Sequence, residues 1–455
     1  MCGVVGVYSS NPSLSSRIAY YSLFSLQHRG QESAGMVVSS KDHVYIHKGM
    51  GLVSEVFDED VLNRMNGSVA VGHVRYSTTG ESRLENAQPL HVKTARGYVS
   101  IAHNGNLVNY WELRKGLEKE GRVFLTDSDT EVIAQLLSNL MLNGDYFEAL
   151  KRLNDILVGS YTLAMSIDDV LIGYRDPLGF KPLCVGESDE GVIIASESCA
   201  LDAVGARFIR DVEPGEAVIV KDGEVEFVKI AESQKRSFCV FEYIYFARPD
   251  SIIDGRSVYD VRYNIGRILY REAPVEADII SPVPDSGTTS SLGFAYESGI
   301  TYLEALIKNR YVGRTFIMPE QRLREFSVRL KMNAIKENVR GKRVVLIDDS
   351  IVRGTTSRKI VDMVRNAGAK EVHFRVGSPP IVSPCYFGID MSTREELIAS
   401  RKSVEEIRRE INADSLAYLS IDGLLEAVGF KREDLCLACL TGVYPVPIPG
   451  ERCHC

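Results

Sequence analysis

The stretch Val344-Val345-Leu346-Ile347-Asp348-Asp349-Ser350-Ile351-Val352-Arg353-Gly354-Thr355-Thr356-Ser357 leaves its chain few ways to fold. An unbroken apolar run suits a strand covered on both faces, as in a parallel sheet. Paired acids close that strand. A loop with a glycine and consecutive hydroxyl residues then leads into the helical pattern Ser357–Ala367, which Gly368 stops. Strand, polar loop and helix in this order make half of a crossover unit. Backbone N–H groups at a helix start, with hydroxyls beside them, can cradle a phosphate. Adjacent acids can take ribose hydroxyls and magnesium. The same order occurs upstream, with Asp278–Val283 as a strand, Pro284–Ser291 as a polar loop, and Leu292–Ser298 as a helix stopped by Gly299. From about Cys239 onward a parallel sheet with crossover helices is therefore expected. Glu395–Asn412, charged and helical in pattern, is expected to form a surface helix.

The first half has another rhythm. Short β segments recur from Met1 to about Lys229, among them Val4–Tyr8, Gly35–Val38, Val69–Val74, Tyr98–His103, Tyr161–Ile167 and Val192–Ser196. Bounded by Gly, Asn and Asp, they predict stacked, mostly antiparallel sheets. A strong helix should begin near Ser128. There Ser128 and Glu131 make a capping-box pattern, and Val132, Ile133, Leu136, Leu137, Leu140 and Met141 form a helical stripe. The 455 residues suit two or three domains. We place them at 2–235 and 236–445, the second including a C-terminal helical segment, with 446–455 as a tail.

The net charge of −8 gives no electrostatic reason to expect nucleic acid. No apolar run approaches the ~20 residues of a membrane helix. The start, Met1-Cys2-Gly3-Val4-Val5-Gly6-Val7, lacks the basic opening and long apolar stretch of a secretory signal. A cytoplasmic location is expected by default. In a reducing compartment the nine cysteines are poor candidates for structural disulfides, and those that cluster read as catalytic or metal-binding.

Cys2 directly follows the initiator methionine, whose removal would leave a terminal cysteine with thiol and α-amine on one carbon. An α-amine of pKa about 8 can serve as the local base for a thiol attacking an amide. Downstream come His28-Arg29-Gly30-Gln31-Glu32, Gly72-His73-Val74-Arg75-Tyr76-Ser77, His103-Asn104-Gly105-Asn106 and Asp127-Ser128-Asp129-Thr130-Glu131. Singly these have ordinary readings: Asn104-Gly105 as a hairpin turn, Arg75 as a surface charge, Asp129 as a helix-start acid. Together, and in this order, they resemble the class II glutamine amidotransferases, a branch of the N-terminal nucleophile hydrolases. The resemblance implies Cys2 as nucleophile, with the Asn104 side chain and the Gly105 N–H as an oxyanion hole. It implies Arg75 as a fork for the glutamine α-carboxylate, Asp129 for the α-ammonium, and Arg29 and Gly30 as shapers of the pocket.

Val344–Ser357 in turn resembles the phosphoribosyl-pyrophosphate signature of the type I phosphoribosyltransferases, and Pro284-Asp285-Ser286-Gly287 is similar to their pyrophosphate loop. Lys308-Asn309-Arg310-Tyr311-Val312-Gly313-Arg314-Thr315-Phe316-Ile317 resembles their closing loop, a basic lid suited to a pyrophosphate leaving group. The implied substrate contacts are Asp285, Ser286, Gly287, Lys308, Arg310, Tyr311, Asp348, Asp349, Ser350, Arg353, Gly354, Thr355, Thr356 and Ser357. One magnesium ion per subunit would rest on Ser286, Asp348 and Asp349.

Both signatures on one chain resemble the glutamine phosphoribosylpyrophosphate amidotransferase family, over about Cys2 to Tyr444. This implies an N-terminal-nucleophile hydrolase fold, an αββα sandwich, followed by a type I phosphoribosyltransferase parallel sheet, a mixed α/β and α+β two-domain chain. The implied enzyme is a pentosyltransferase. It hydrolyses glutamine at Cys2 and passes the ammonia internally to 5-phosphoribosyl 1-pyrophosphate, giving 5-phosphoribosylamine, glutamate and pyrophosphate, the first step of de novo purine biosynthesis. Feedback by purine nucleotides and a homotetramer are implied too. Some members carry a short pro-segment before the cysteine; here only methionine would need removal. Cys239, Cys385, Cys436 and Cys439 match the positions at which one branch ligates a [4Fe–4S] cluster, although Cys436-Leu-Ala-Cys439 alone could equally hold zinc or be redox-active. Cys184 and Cys199 read as core thiols; Cys453-His454-Cys455 could bind metal but lies beyond the matched region and reads rather as a disordered tail. Two other readings compete. Another class II enzyme, a glutamine:sugar-phosphate aminotransferase, would need sugar-isomerase-like domains instead of Asp348–Ser357. A non-enzymatic phosphoribosyl-pyrophosphate sensor would have no reason to keep Cys2, Arg75, Asn104 and Asp129 together.

Overall fold

Two antiparallel sheets stack face to face in the first half of the chain. The computed structural model describes residues 1–450 except 41–42, 78, 95–96, 143, 234, 310–330 and 392. The seven-stranded sheet runs Arg207–Asp211, Cys184–Ser188, Gly191–Ala195, Gly3–Tyr8, Val69–Arg75, Ser33–Ser39, Val44–Met50. The six-stranded sheet runs Glu224–Lys229, Glu216–Lys221, Val170–Tyr174, Gly159–Ile167, Gly97–Leu107, Leu90–Thr94. Their facing side chains, among them Val4, Val71, Ala102, Ala164 and Leu171, form one buried layer. Helix Ser15–Ser25 covers the outside of the first sheet through Ala19 and Leu23. Helices Asp129–Leu140 and Tyr146–Ile156 cover the second through Ile133, Leu137 and Leu150. Gly3–Tyr8 is central, so its side chains are buried on both faces, and the residue before it, Cys2, is delivered into the sandwich.

The second half holds a parallel sheet in the order Ile279–Pro282, Arg343–Asp348, Glu371–Val376, Ser415–Tyr418. Helices Val258–Glu272 and Thr288–Ser298 lie on one side and Thr355–Asn366 on the other. A short parallel bridge pairs Phe238–Cys239 with Leu435–Cys436, tying the chain's last segment back to where this half begins.

Local details depart from expectation. Asn104-Gly105 lies inside strand Gly97–Leu107, so the alternative reading of it as a hairpin turn falls away. Ser128 does cap the helix, accepting from the Thr130 N–H, but Glu131 makes no capping box. Its carboxylate turns back to the N–H groups of Leu125 and Thr126, closing the preceding loop. The helix after Pro284 starts at Thr288, earlier than expected. Glu395–Asn412 is not one helix: two 3-10 turns, Arg394–Glu396 and Ile398–Ser400, precede helix Val404–Glu410. Leu397 and Ile398 are buried against the sheet domain, which draws the chain inward, and Ser403 with Glu406 then starts the helix with a capping box. Among the described residues no helix is long and apolar enough to cross a membrane.

Candidate active sites

Cys2 meets Asn104 across the two sheets. The Cys2 N–H donates to Asn104 Oδ1 at 3.2 Å, and the thiol approaches the Tyr76 carbonyl at 3.5 Å. That bond fixes the Asn104 amide with its Nδ2 turned the other way, where it is buried and has no hydrogen-bond partner among the described residues. A buried donor left unpaired costs about 1–3 kcal/mol, so this one is free to receive a further acceptor. Gly105 has φ 155°, and a Cβ there would stand 2.0 Å from the Ser160 carbonyl oxygen. Gly30 admits no side chain either, because a Cβ would stand 2.6 Å from the Arg75 backbone. Met1 is present and buried, its sulfur 2.7 Å from Lys181 Nζ. Burial lowers the chain's terminal amine to about 6.

Arg75 and Asp129 are buried beside this site but already have partners. The Arg75 guanidinium donates to the carbonyls of Thr79, Gly80 and Glu81. Asp129 accepts from the Leu107 N–H at 3.0 Å and lies 3.6 Å from His103 Nδ1. Burial pulls the His103 ring down, yet Asp129 and the Ser160 carbonyl lift it above its ordinary range. Its neighbour His73 is held neutral, lowered by burial to about 3.

Arg29 carries a network that no local pattern announces. Its Nε donates to the Cys2 carbonyl at 2.9 Å, while its other nitrogens meet Glu197 and Glu242. Glu197 also accepts from the Arg248 N–H and the Ser251 hydroxyl, and sits 2.7 Å from His28 Nε2. Burial would raise its pKa, but His28 and Arg29 hold it well below the carboxylate range.

The second site is a cavity of about 590 Å³. Ser286 and the run Asp348–Ser357 line it on one side, and His28, Arg29, Gly30 and Tyr76 on the other. Asp348 ends its strand 8% exposed. Burial and the adjacent Asp349 carboxylate raise its pKa well above the usual range. Ser286 Oγ stands 3.5 Å from Asp348, and the Ser350 hydroxyl donates to Asp349 at 2.5 Å. Gly354, in the left-handed region at φ 77°, turns the loop into helix Thr355–Asn366, so the N–H groups of the first turn face the cavity's rim. Lys308 pairs with Asp285 at 2.7 Å on an exposed edge, Arg353 pairs with Glu396, and Gly287 packs against the Ile347 carbonyl. Arg310 and Tyr311 lie outside the described residues.

Cys239, Cys385, Cys436 and Cys439 converge where the two halves meet. All carry free thiols. Burial pushes the Cys439 thiol up, and the thiols of Cys385, Cys436 and Cys239 push it further. Lys181, itself buried, is held charged against burial by Cys239, Glu242 and Cys385. Among the described residues no group of three or more His, Cys, Asp or Glu side chains is placed to hold a metal ion. The segment after Cys385 reaches the other site: the Tyr386 carbonyl accepts from Asn106 at 3.0 Å, and Gly388 lies against Gly105 so closely that a Cβ would stand 3.1 Å from it. Cys184 and Cys199 are buried in the first half, as expected of core thiols.

An N-terminal cysteine in a two-sheet sandwich, beside a hydroxyl-rich loop at the carboxyl end of a parallel sheet, defines a glutamine amidotransferase joined to a phosphoribosyltransferase. Family models agree, a glutamine amidotransferase domain matching residues 73–203 and a phosphoribosyl transferase domain residues 303–376. The amidophosphoribosyltransferase of Archaeoglobus fulgidus is 66% identical, with all of both chains covered. That of Bacillus subtilis is 48% identical over 98% of this chain and 94% of its own. The solved structure of the Bacillus subtilis glutamine phosphoribosylpyrophosphate amidotransferase, complexed with ADP and GMP, superposes with a TM-score of 0.93 at 47% identity, covering 99% of this chain and 98% of that one. The chain belongs to the amidophosphoribosyltransferases, which move the amide nitrogen of glutamine onto 5-phosphoribosyl 1-pyrophosphate at the first step of purine biosynthesis.

Proposed function

We propose that catalysis divides between the two sites, with Cys2 as nucleophile once methionine is removed. The free α-amine takes the thiol proton, and the thiolate attacks the glutamine amide carbon. Asn104 Nδ2 and the Gly105 N–H receive the developing oxyanion. Collapse, with the α-ammonium passing its proton to the leaving nitrogen, expels ammonia and leaves a thioester, which water hydrolyses to glutamate. Ammonia then displaces pyrophosphate at C1 of the ribose, giving 5-phosphoribosylamine. The observation that carries this reading is the shared cavity wall: His28–Gly30 and Tyr76 flank the nucleophile and also face Asp348–Ser357. Arg75 and Asp129 would take the α-carboxylate and α-ammonium of glutamine by exchanging their present partners.

Asp348, Asp349 and Ser286 suit magnesium, because a buried acid raised by a neighbouring acid is relieved by a cation. Bound there, the ion would neutralise charge on the departing pyrophosphate. The rest of the loop, Ser350 and Arg353–Ser357, would hold the 5-phosphate, with Asp285, Gly287, Lys308, Arg310 and Tyr311 toward the pyrophosphate. An all-sulfur donor set from distant chain positions, three of its four thiols buried, suits a [4Fe–4S] cluster held by Cys239, Cys385, Cys436 and Cys439. The reaction moves no electrons, so the cluster's part would be to brace the junction, where metal-binding energy becomes folding energy. We also propose feedback by purine nucleotides, a homotetramer, a cytoplasmic location and a domain division near residue 235. An anaerobic assay of glutamine-dependent pyrophosphate release, with the visible spectrum recorded, tests the whole. Oxygen should then bleach the absorption and remove activity and folded structure together. Activity surviving iron removal, or stoichiometric zinc, would refute the cluster.

A further inference from the structure

Hydrolysis of glutamine does not chemically require an acid from the second half of the chain, yet one is built into the nucleophile's support. Glu242 opens the π-turn Glu242–Phe246 with its side chain fully buried. Its carboxylate accepts from Arg29 Nη2 at 2.8 Å and Nη1 at 3.0 Å. On its opposite edge the same guanidinium holds the Cys2 carbonyl. Single π-turns are uncommon and often mark functional sites. This one is pinned by Arg262, which donates to the carbonyls of Tyr243 and Ala247, both at 2.7 Å. Its far end, Tyr245 and Phe246, lines the phosphoribosyl cavity. Apolar side chains usually brace a junction as well as a buried ion pair does, or better. The charge therefore calls for a reason beyond bracing.

We infer that Glu242 is a positioning residue for the N-terminal nucleophile: it orients Arg29, which through the Cys2 carbonyl sets where thiol and α-amine stand against Asn104. The inference rests on Cys2 being the nucleophile. The charged and titratable groups facing the amine at the start of the chain, carried here by Met1, are Arg29, Lys181, Glu242, the Cys2 thiol and His73, and His103 faces Cys2 itself. Neutralising Glu242 leaves positive charge in excess there, which disfavours an ammonium. A residue that only filled space would have no such effect.

In the full-length enzyme, Glu242→Gln is expected to lower kcat/KM for glutamine roughly 10- to 100-fold, mainly through kcat, and to leave ammonia-dependent synthesis within about threefold. The acid limb of the glutamine pH profile should move down by about half a unit to one unit. Glu242→Asp keeps the charge with a shorter reach; it should lower kcat/KM less and leave the limb in place. An unchanged kcat/KM in the Gln variant overturns the inference, as does a fall without the shift of the limb. Should the Gln variant not fold, the Asp variant decides: wild-type kcat/KM overturns the inference, and failure to fold as well makes Glu242 merely structural and also overturns it. Glutamine-dependent activity surviving Cys2→Ser would sink the nucleophile assignment itself, a result read without any change at Glu242.

Discussion

The two sites solve opposite problems. The proposed glutaminase site is buried and assembled from afar: Cys2, Arg29, Arg75, Asn104 and Asp129 come from separate elements and are all nearly inaccessible. The phosphoribosyl site is open and mostly contiguous, since a single strand–loop–helix supplies Asp348 through Ser357. A small neutral amide can be met by preformed donors in a dry space, where each is worth more than in water. A large polyanion must enter with its cation, so its loop stays exposed and its backbone N–H groups point outward.

Removing chemistry from one site alone is the strongest way to break that comparison. Cys2→Ser should cut glutamine-dependent synthesis by about 10⁴-fold or more while ammonia-dependent synthesis persists. Loss of both in a folded variant would mean the sites are not separable. Asp348→Asn with Asp349→Asn should lower synthesis from either nitrogen donor roughly 10³-fold and weaken magnesium-dependent binding. Unchanged titration calorimetry with phosphoribosyl pyrophosphate and magnesium would refute it. Asn104→Ala should lower kcat for glutamine about 10²-fold with little change in KM, because Nδ2 acts only on the oxyanion; a change confined to KM would count against that role.

The smallest effect concerns the junction between the halves. Asp211 is raised to about 7 by burial and by Asp254, whose carboxylate pairs with Arg175. Its folded pKa lies above its unfolded one, so its contribution to stability is complete below about pH 4 and is lost as pH rises through about 7. Asp211→Asn should remove that decline, worth at most about 1.4 kcal/mol per pH unit. Denaturant melts of both proteins from pH 5 to 8 that run parallel would show that Asp211 is not the titrating group.

Legibility in the sequence followed the same division. The phosphoribosyl loop was readable because its ligands are neighbours in the chain and the strand period frames them. The glutaminase residues were readable only as an ordered set, since each alone has an ordinary meaning. Glu197 and Glu242 left no trace. A buried ion pair is created by the approach of distant elements, and an acid at a strand end or a turn start looks solvated until those elements meet. Glu395–Asn412 was misread for a related reason: its charges suggest an exposed helix, whereas Leu397 and Ile398 anchor the chain inward. Arg75 is buried near Cys2, but its donors are taken by the 79–81 carbonyls, which its sequence neighbours could not disclose.

The contact of Tyr386 and Gly388 with Asn106 and Gly105 has a consequence for synthesis on the ribosome. The nucleophile is the first part of the protein to emerge, and domains generally fold as they appear. The strand that carries Asn104 and Gly105, the proposed oxyanion donors, however, gains a support from residues made some 280 positions later. On the proposed assignment an unfinished chain would carry the cysteine but an incomplete glutaminase, and would spare glutamine until a phosphoribosyl acceptor site exists to use the nitrogen.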